Sequence, residues 1–219
     1  MDKLVRKIEI PLAKKAIEKA GLYIVQEKDL DRLAEVAADA YRDYPLHNWF
    51  TKGKYDPKVS KWIMEISLKT MTEDAVIYAD SEALNGFAIW LPFGFTGSKT
   101  LPFLLHGGLK LILHAGFGII GRLLAYETYA MNLKKTFTDH YDWYLYNLSI
   151  KKDAQGKGLA SKLLRPMLGF CDDEKMVAYL ETNKESNVGL YQHYGFALMK
   201  EEVIPKSPVT HYAMVRRPQ

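Results

Sequence analysis

Cysteine occurs once in 219 residues, at Cys171. A lone thiol closes no intrachain disulfide, which sets aside the disulfide-stapled secreted scaffolds and agrees with a reducing compartment; within the apolar stripe it occupies, it reads as a buried structural thiol. The six histidines are scattered and, with a single cysteine, form no ligand spacing, so no metal site is expected. Charge of one sign is also scarce. Lys and Arg number 30 against 26 Asp and Glu, and a dispersed +4 is too weak to imply a nucleic-acid partner. Long hydrophobic runs are missing: Leu101 to Leu124 is the most apolar stretch, but Lys110 and Arg122 leave too short an uncharged span to cross a bilayer. The first ten residues carry charges where a secretory signal needs an unbroken apolar core, so the expectation is a cytoplasmic protein. The remaining basic residues near the start, including Lys14, Lys15 and Lys19, read as a solvated face. Internal repeats and low-complexity tracts are absent.

The chain has a hydrophobic content of 48%, enough for one sizeable core, and the reading is a single domain over 1–219 with a helical insertion at about 98–132. Strand patterns fall at Leu22 to Val25, Ala75 to Ala79, Gly86 to Leu91, residues 144–150 and 177–182, Ala197 to Val203 and Thr210 to Arg216. Between them lie helical stripes at 30–41 and from the Asp56-Pro57 start onward. This order predicts an α/β fold of the α+β type, one mixed sheet flanked by helices. The glycine-rich insertion reads as one or two helices that wall a pocket or dock a second chain, so a homodimer is one expectation.

The most informative segment runs from Leu148, Ser149 and Ile150 through Gln155, Gly156, Lys157 and Gly158 to Leu159 and Ala160. A β-rich stretch precedes the glycines, and Leu159, Leu163, Leu164, Met167 and Leu168 recur at helical spacing after them. The loop therefore opens a helix, where N–H groups lack intrahelical partners and the dipole favours an anion, while glycine lets a phosphate approach closely. Lys151, Lys152, Lys157, Lys162 and Arg165 surround it. It is not a Walker A loop, which needs Gly-x4-Gly-Lys-Ser/Thr, nor a dinucleotide fingerprint, since Ser161 stands where the third glycine would fall. A Gly-x-Ser-x-Gly nucleophile elbow is missing too, which weakens a hydrolase reading.

The pattern Gln155-x-x-Gly158-x-Ala160 resembles the acyl-coenzyme A pyrophosphate loop of the GNAT superfamily of N-acetyltransferases. A second block, Asn187 to Tyr191 to Gly195-Phe196, is similar to that family's Asn-x-x-x-Tyr-x-x-x-Gly-Phe signature, and Asn187 and Gly195 are suited to cap and end a short helix. Residues 142–218, with Trp143, Pro166 and Leu180-Glu181-Thr182, resemble the puromycin N-acetyltransferase-like branch in particular.

The resemblance implies a mostly antiparallel sheet that splits after the central strand, making a slot for acetyl-coenzyme A as co-substrate. Backbone groups of Leu148, Ser149 and Ile150, the loop from Gln155 to Ala160, and Asn187 and Tyr191 would then bind it. Tyr191 would protonate the departing sulfur, with Tyr194 competing for that role. Histone-type relatives place a glutamate eleven residues before the loop glutamine, and here that position is Tyr144. The base is therefore left among Glu181, His140 and a solvent relay. His193 and His211 carry no distinguishing context. The acceptor expected is a primary amine on a small molecule, with Trp49, Trp90, Phe93, Phe95 and Tyr144 available to wall its pocket. An N-terminal amine of a protein or peptide, and a non-catalytic acyl-coenzyme A sensor, are the alternatives.

Overall fold

The computed structural model describes residues 2–93, 104–138 and 142–219. Helix α1 (Asp2–Lys19) leads into β1 (Tyr23–Ile24), and α2 (Leu30–Ala40), α3 (Pro45–Phe50) and α4 (Pro57–Met71) precede the hairpin of β2 (Val76–Ala79) and β3 (Gly86–Pro92). A π-helical turn at Leu104–Gly108, α5 (Leu109–Ala115) and α6 (Phe117–Phe137) then lead to β4 (Asp142–Ile150). The chain closes with α7 (Leu159–Asp173), β5 (Val177–Thr182), α8 (Ser186–His193), β6 (Ala197–Val203) and β7 (Thr210–Arg216).

The strands form one seven-stranded sheet in the order β1-β2-β3-β4-β5-β7-β6. Every neighbouring pair is antiparallel except β4 and β5, which α7 connects as a crossover. Helices cover both faces, so β2 and β3 are apolar along their whole length. Period-two alternation sorts them. Val76 and Tyr78 join Ile10, Ala13 and Ile17 of α1 and Leu163, Leu164 and Met167 of α7 on one face, while Ile77 and Ala79 join Leu33, Met64 and Leu68 of α2 and α4 on the other. Cys171 is buried in the first of these layers, and desolvation pushes its thiol up to about 12, consistent with packing and not with reactivity.

Local chemistry sets the element ends. Asp56 accepts from the N–H groups of Lys58 and Val59 at 2.9 and 3.2 Å and caps α4, with Pro57 in its first turn. Gly195, at φ +86°, ends α8, and its N–H reaches the Gln192 carbonyl at 2.9 Å. Asn187 does not cap that helix. It lies within the first turn, one residue past Ser186, and its Nδ2 donates to Thr182 Oγ1 at 3.1 Å instead.

The inserted helices differ in extent from the 98–132 expectation: α6 runs on to Phe137, and 98–103 lie outside the described residues. They are firmly docked. Leu111 and Ile119 pack with Leu46, Phe50, Val59 and Ile66, and Arg122 donates twice to the Phe50 carbonyl, at 3.0 and 2.6 Å.

Candidate active site

The sheet divides along β4. Its pairing with β5 runs from Asp142 opposite Val177 to Leu145 opposite Leu180 and stops there, while pairing with β3 continues to Ile150. At the same point β3 and β4 slip register, Ile89 opposing Asn147 and Trp90 opposing Leu145, so Tyr146 is the extra residue of a β-bulge. A bulge bends and twists its strand, which accounts for β4 leaving β5 at this residue. The N–H of Lys151 bonds the Asn85 carbonyl at 2.9 Å, on the β3 side. By the two-residue alternation of strand peptides, the N–H and C=O groups of Leu148 and Ile150 point to the opposite, open edge, and those of Ser149 toward β3.

The glycine loop closes over this edge. Gly156 and Gly158 adopt φ of +73° and +79°, and nothing lies within 4 Å of where a Cβ would project from either. Gly158 is the N-cap of α7, so the N–H groups of the first turn, from Leu159 and Ala160 onward, have no intrahelical partner and lie beside exposed loop residues. Lys157 is exposed beside them. Backbone donors, a helix N-terminus and room left by two glycines form a cradle suited to a diphosphate.

A cavity of about 290 Å³ lies beyond the split and is bordered by Leu148, Asn187, Tyr191 and Glu181. Helix α6 forms its far wall through Ile120, Leu123, Tyr126 and Ala130. Of the aromatic residues expected to wall a pocket, Tyr144 does so. Trp90 is instead buried in the core, donating its indole N–H to Tyr78 at 3.0 Å, Trp49 packs on Phe50, and Phe95 lies outside the described residues.

Glu181 is the chemically distinctive group. Tyr179 donates to its Oε1 at 2.9 Å, and Tyr144 and Tyr126 reach Oε2 at 3.1 and 3.5 Å. Desolvation raises its pKa to about 7, against the lowering effect of the three phenols and Lys134. A carboxylate that titrates near neutrality beside a cavity is suited to proton transfer. Tyr191 is buried against Phe196, and burial pushes its phenol upward, so it remains a proton donor at neutral pH. Tyr194 does not border the cavity. It stacks beneath the Arg165 guanidinium, 5.8 Å away, and its carbonyl accepts from Arg216.

Among the histidine candidates, His211 is fully buried with its pKa lowered to about 4 by desolvation, His193 is exposed at the end of α8, and His140 lies outside the described residues. Tyr126 and Tyr179 escaped the sequence reading. Phenols on an apolar stripe look like core residues, and their shared target becomes visible only when α6 and β5 meet.

Residues 114–198 match the family model described as an acetyltransferase (GNAT) domain. Over 216 residues the chain is 24% identical to an uncharacterized N-acetyltransferase of Schizosaccharomyces pombe, covering 89% of this chain and 82% of that protein. Over that segment the chain is similar to a GNAT acetyltransferase domain. The matched segment reaches from the end of α5 into β6, so it contains the bulged strand, the glycine loop and the helix of Tyr191. Two solved structures share the GNAT fold at low identity. One is histone acetyltransferase HPA2 and related acetyltransferase from Corynebacterium glutamicum, with a TM-score of 0.60, 18% identity, and coverage of 90% of this chain and 96% of that one. The other is arylalkylamine N-acetyltransferase 2 from Aedes aegypti, with a TM-score of 0.57, 20% identity, and coverage of 90% and 98%. Among the described residues, no group of His, Cys, Asp and Glu could hold a metal ion, and no helix is long and apolar enough to cross a membrane.

Proposed function

We propose that this domain transfers the acetyl group of acetyl-coenzyme A to the primary amine of a small, largely apolar acceptor, by direct attack in a ternary complex. One observation carries the reading: Glu181 and Tyr191, a carboxylate that titrates near neutrality and a phenol held protonated, border the same cavity beside the open edge of β4. Acetyl-coenzyme A, when bound, supplies an activated acyl carbon and a thiol leaving group. The open space over Gly156 and Gly158 suits its diphosphate, and the peptide groups of Leu148 and the N–H of Ile150, which the ladder with β5 leaves unpaired, suit the amide-bearing arm that leads to the thioester.

The chain's own groups then divide the proton work. Glu181 accepts a proton from the arriving ammonium, so that the neutral nitrogen forms the new N–C bond as the C–S bond breaks. Tyr191 gives its proton to the departing sulfur and regains one through solvent as the acylated nitrogen sheds its second proton, so a turnover leaves a neutral amide, a thiol and the proton held by Glu181. The wall formed by Ile120, Leu123 and Ala130 favours an apolar acceptor body, and the arylalkylamine activity named for the Aedes aegypti structure is of that chemical class. The docked α5 and α6 narrow the approach, which favours a small molecule over the end of a folded protein.

Thiol release from acetyl-coenzyme A over an amine panel tests this. The panel should include arylalkylamines, aliphatic diamines, puromycin and a peptide with a free N-terminus. Turnover with at least one small amine, falling at least tenfold in Tyr191→Phe, is the expected result. Tight coenzyme A binding without release on any amine would establish a sensor instead, and a preference for the peptide would move the acceptor to polypeptides.

A further inference from the structure

Tyr144 occupies the strand position at which histone-type relatives carry a glutamate, and its hydroxyl is bonded to a carboxylate that belongs to the neighbouring strand. Tyr144 and Tyr179 are direct partners in the parallel β4–β5 ladder. Glu181 lies two residues beyond Tyr179 and therefore on the same face of β5. The Tyr144 hydroxyl therefore donates across the ladder to a carboxylate of the adjacent strand, at 3.1 Å.

We infer that Tyr126, Tyr144 and Tyr179 are positioning residues that hold the Glu181 carboxylate as an oriented anion and so set the pH at which it can take the proton of the acceptor amine; this rests on the proposed role of Glu181 as base. The three phenols come from three elements, α6, β4 and β5, and between them supply both carboxylate oxygens. Phenols are apt for the task because they donate without carrying charge, and each of these three is pushed upward by burial and so keeps its proton. An ammonium in the same place would form a closed ion pair and remove the basicity. Lys134 is the nearest cation, but it is ion-paired with Asp142 and stands 5.9 and 5.8 Å over the rings of Tyr144 and Tyr179. The other titratable groups around the carboxylate are Tyr129 on α6, Tyr146 on β4 and Tyr44 ahead of α3, all of which sense its charge. His211 on β7, beside the rings of Tyr126 and Tyr129, is held neutral by burial. Tyr126 also ties the base to the inserted helix, so the wall that meets the acceptor and the group that deprotonates it are one unit.

Removing a donor to an anion favours its neutral form. The experiment is the pH profile of kcat/KM for wild type, Tyr144→Phe, Tyr179→Phe and Glu181→Gln with an amine that turns over, together with a 13C titration of glutamate side-chain carboxyls in which Glu181 is identified by its loss in Glu181→Gln. Phenylalanine keeps the ring packing, so a purely structural tyrosine would lower activity without moving the acidic limb. The expected result is an acidic limb that rises by on the order of one pH unit in each Phe variant, matched by the carboxyl midpoint, with Glu181→Gln inactive at every pH. An unmoved limb and midpoint in both Phe variants, with Glu181→Gln still inactive, overturns the inference and spares the base. Full activity and an intact limb in Glu181→Gln overturns the base itself, and the inference with it.

Discussion

The side chain of Gln155 donates from Nε2 to the carbonyl oxygen of Ile150 at 3.0 Å, folding the glycine loop back onto the strand it has just left. That carbonyl belongs to the open edge of β4. A second tether acts from the other side, where the N–H of Lys152 bonds Asp39 Oδ2 of α2 at 2.9 Å. Both tethers hold the segment just ahead of Gly156 and Gly158, and α7 begins at Leu159 just after them, so a bound anion has little backbone left to order.

Gly158→Ala separates the two consequences of this arrangement. At φ +79° an alanine is strained by about 1 kcal/mol, yet its Cβ meets no protein atom within 4 Å. The methyl instead enters the open space at the start of α7. The expected outcome is a small fall in Tm with at least a tenfold rise in the Kd of coenzyme A by calorimetry. Gly169→Ala, on the exposed side of the same helix, is the control: it should raise stability by about 0.5–1 kcal/mol and leave that Kd unchanged.

Glu181→Gln should stabilise the fold while removing activity, and the gain should depend on pH. The carboxyl's pKa in the folded state, about 7, is above its ordinary value, so the stability it contributes is present at low pH and is lost as pH rises through 7. At pH 8 the buried anion is a burden of about 3 kcal/mol that glutamine does not carry. Urea unfolding at pH 8 and pH 5 should show the advantage of glutamine shrinking toward the lower value. A constant difference across that window would contradict the raised pKa.

The C-terminal strand is fastened by a different ion pair. Arg216, buried, grips both oxygens of Asp172 on α7 at 2.7 Å and donates to the Tyr194 carbonyl at 2.9 Å, so one guanidinium joins β7, α7 and the end of α8. Arg216→Met should cost about 2–3 kcal/mol in urea unfolding at pH 7. Arg216 holds the Asp172 carboxyl below its usual value, so this contribution is present above the unfolded pKa near 4 and fades as pH falls through the folded one.

What the sequence revealed and what it hid follow from the range of the interactions. β5, β6 and β7 were legible because each is a short alternating or apolar run with turn residues at both ends, and the Asp56-Pro57 start of α4 is a purely local capping signal. Helix α1 was not, because Pro11 breaks the propensity pattern although Ile10, Ala13 and Ile17 mark one buried face. The glycine loop was legible for the same local reason as α4. Asn187 misled because an asparagine near a helix start reads as a cap, and only the fold shows Thr182 as its partner. The bulge at Tyr146 pairs Ile89 with Asn147 and the phenol of Tyr126 reaches Glu181 55 residues on, and no local pattern records such meetings.

Ala130 tests whether α6 reads the acceptor. Its methyl is buried and borders the cavity opposite the sheet, so Ala130→Leu narrows the space without touching the loop, the split of β4, Glu181 or Tyr191. Steric discrimination by a single methylene in an apolar pocket amounts to roughly 10–200-fold in kcat/KM. The bulkiest amine that turns over should therefore lose at least tenfold, chiefly through KM, while the smallest stays within about threefold and the Kd of coenzyme A is unchanged. Equal losses for every amine, with Tm also reduced, would mean that the leucine disturbs the docking of α6. An unaltered ranking at unaltered rates would place the acceptor somewhere other than this cavity.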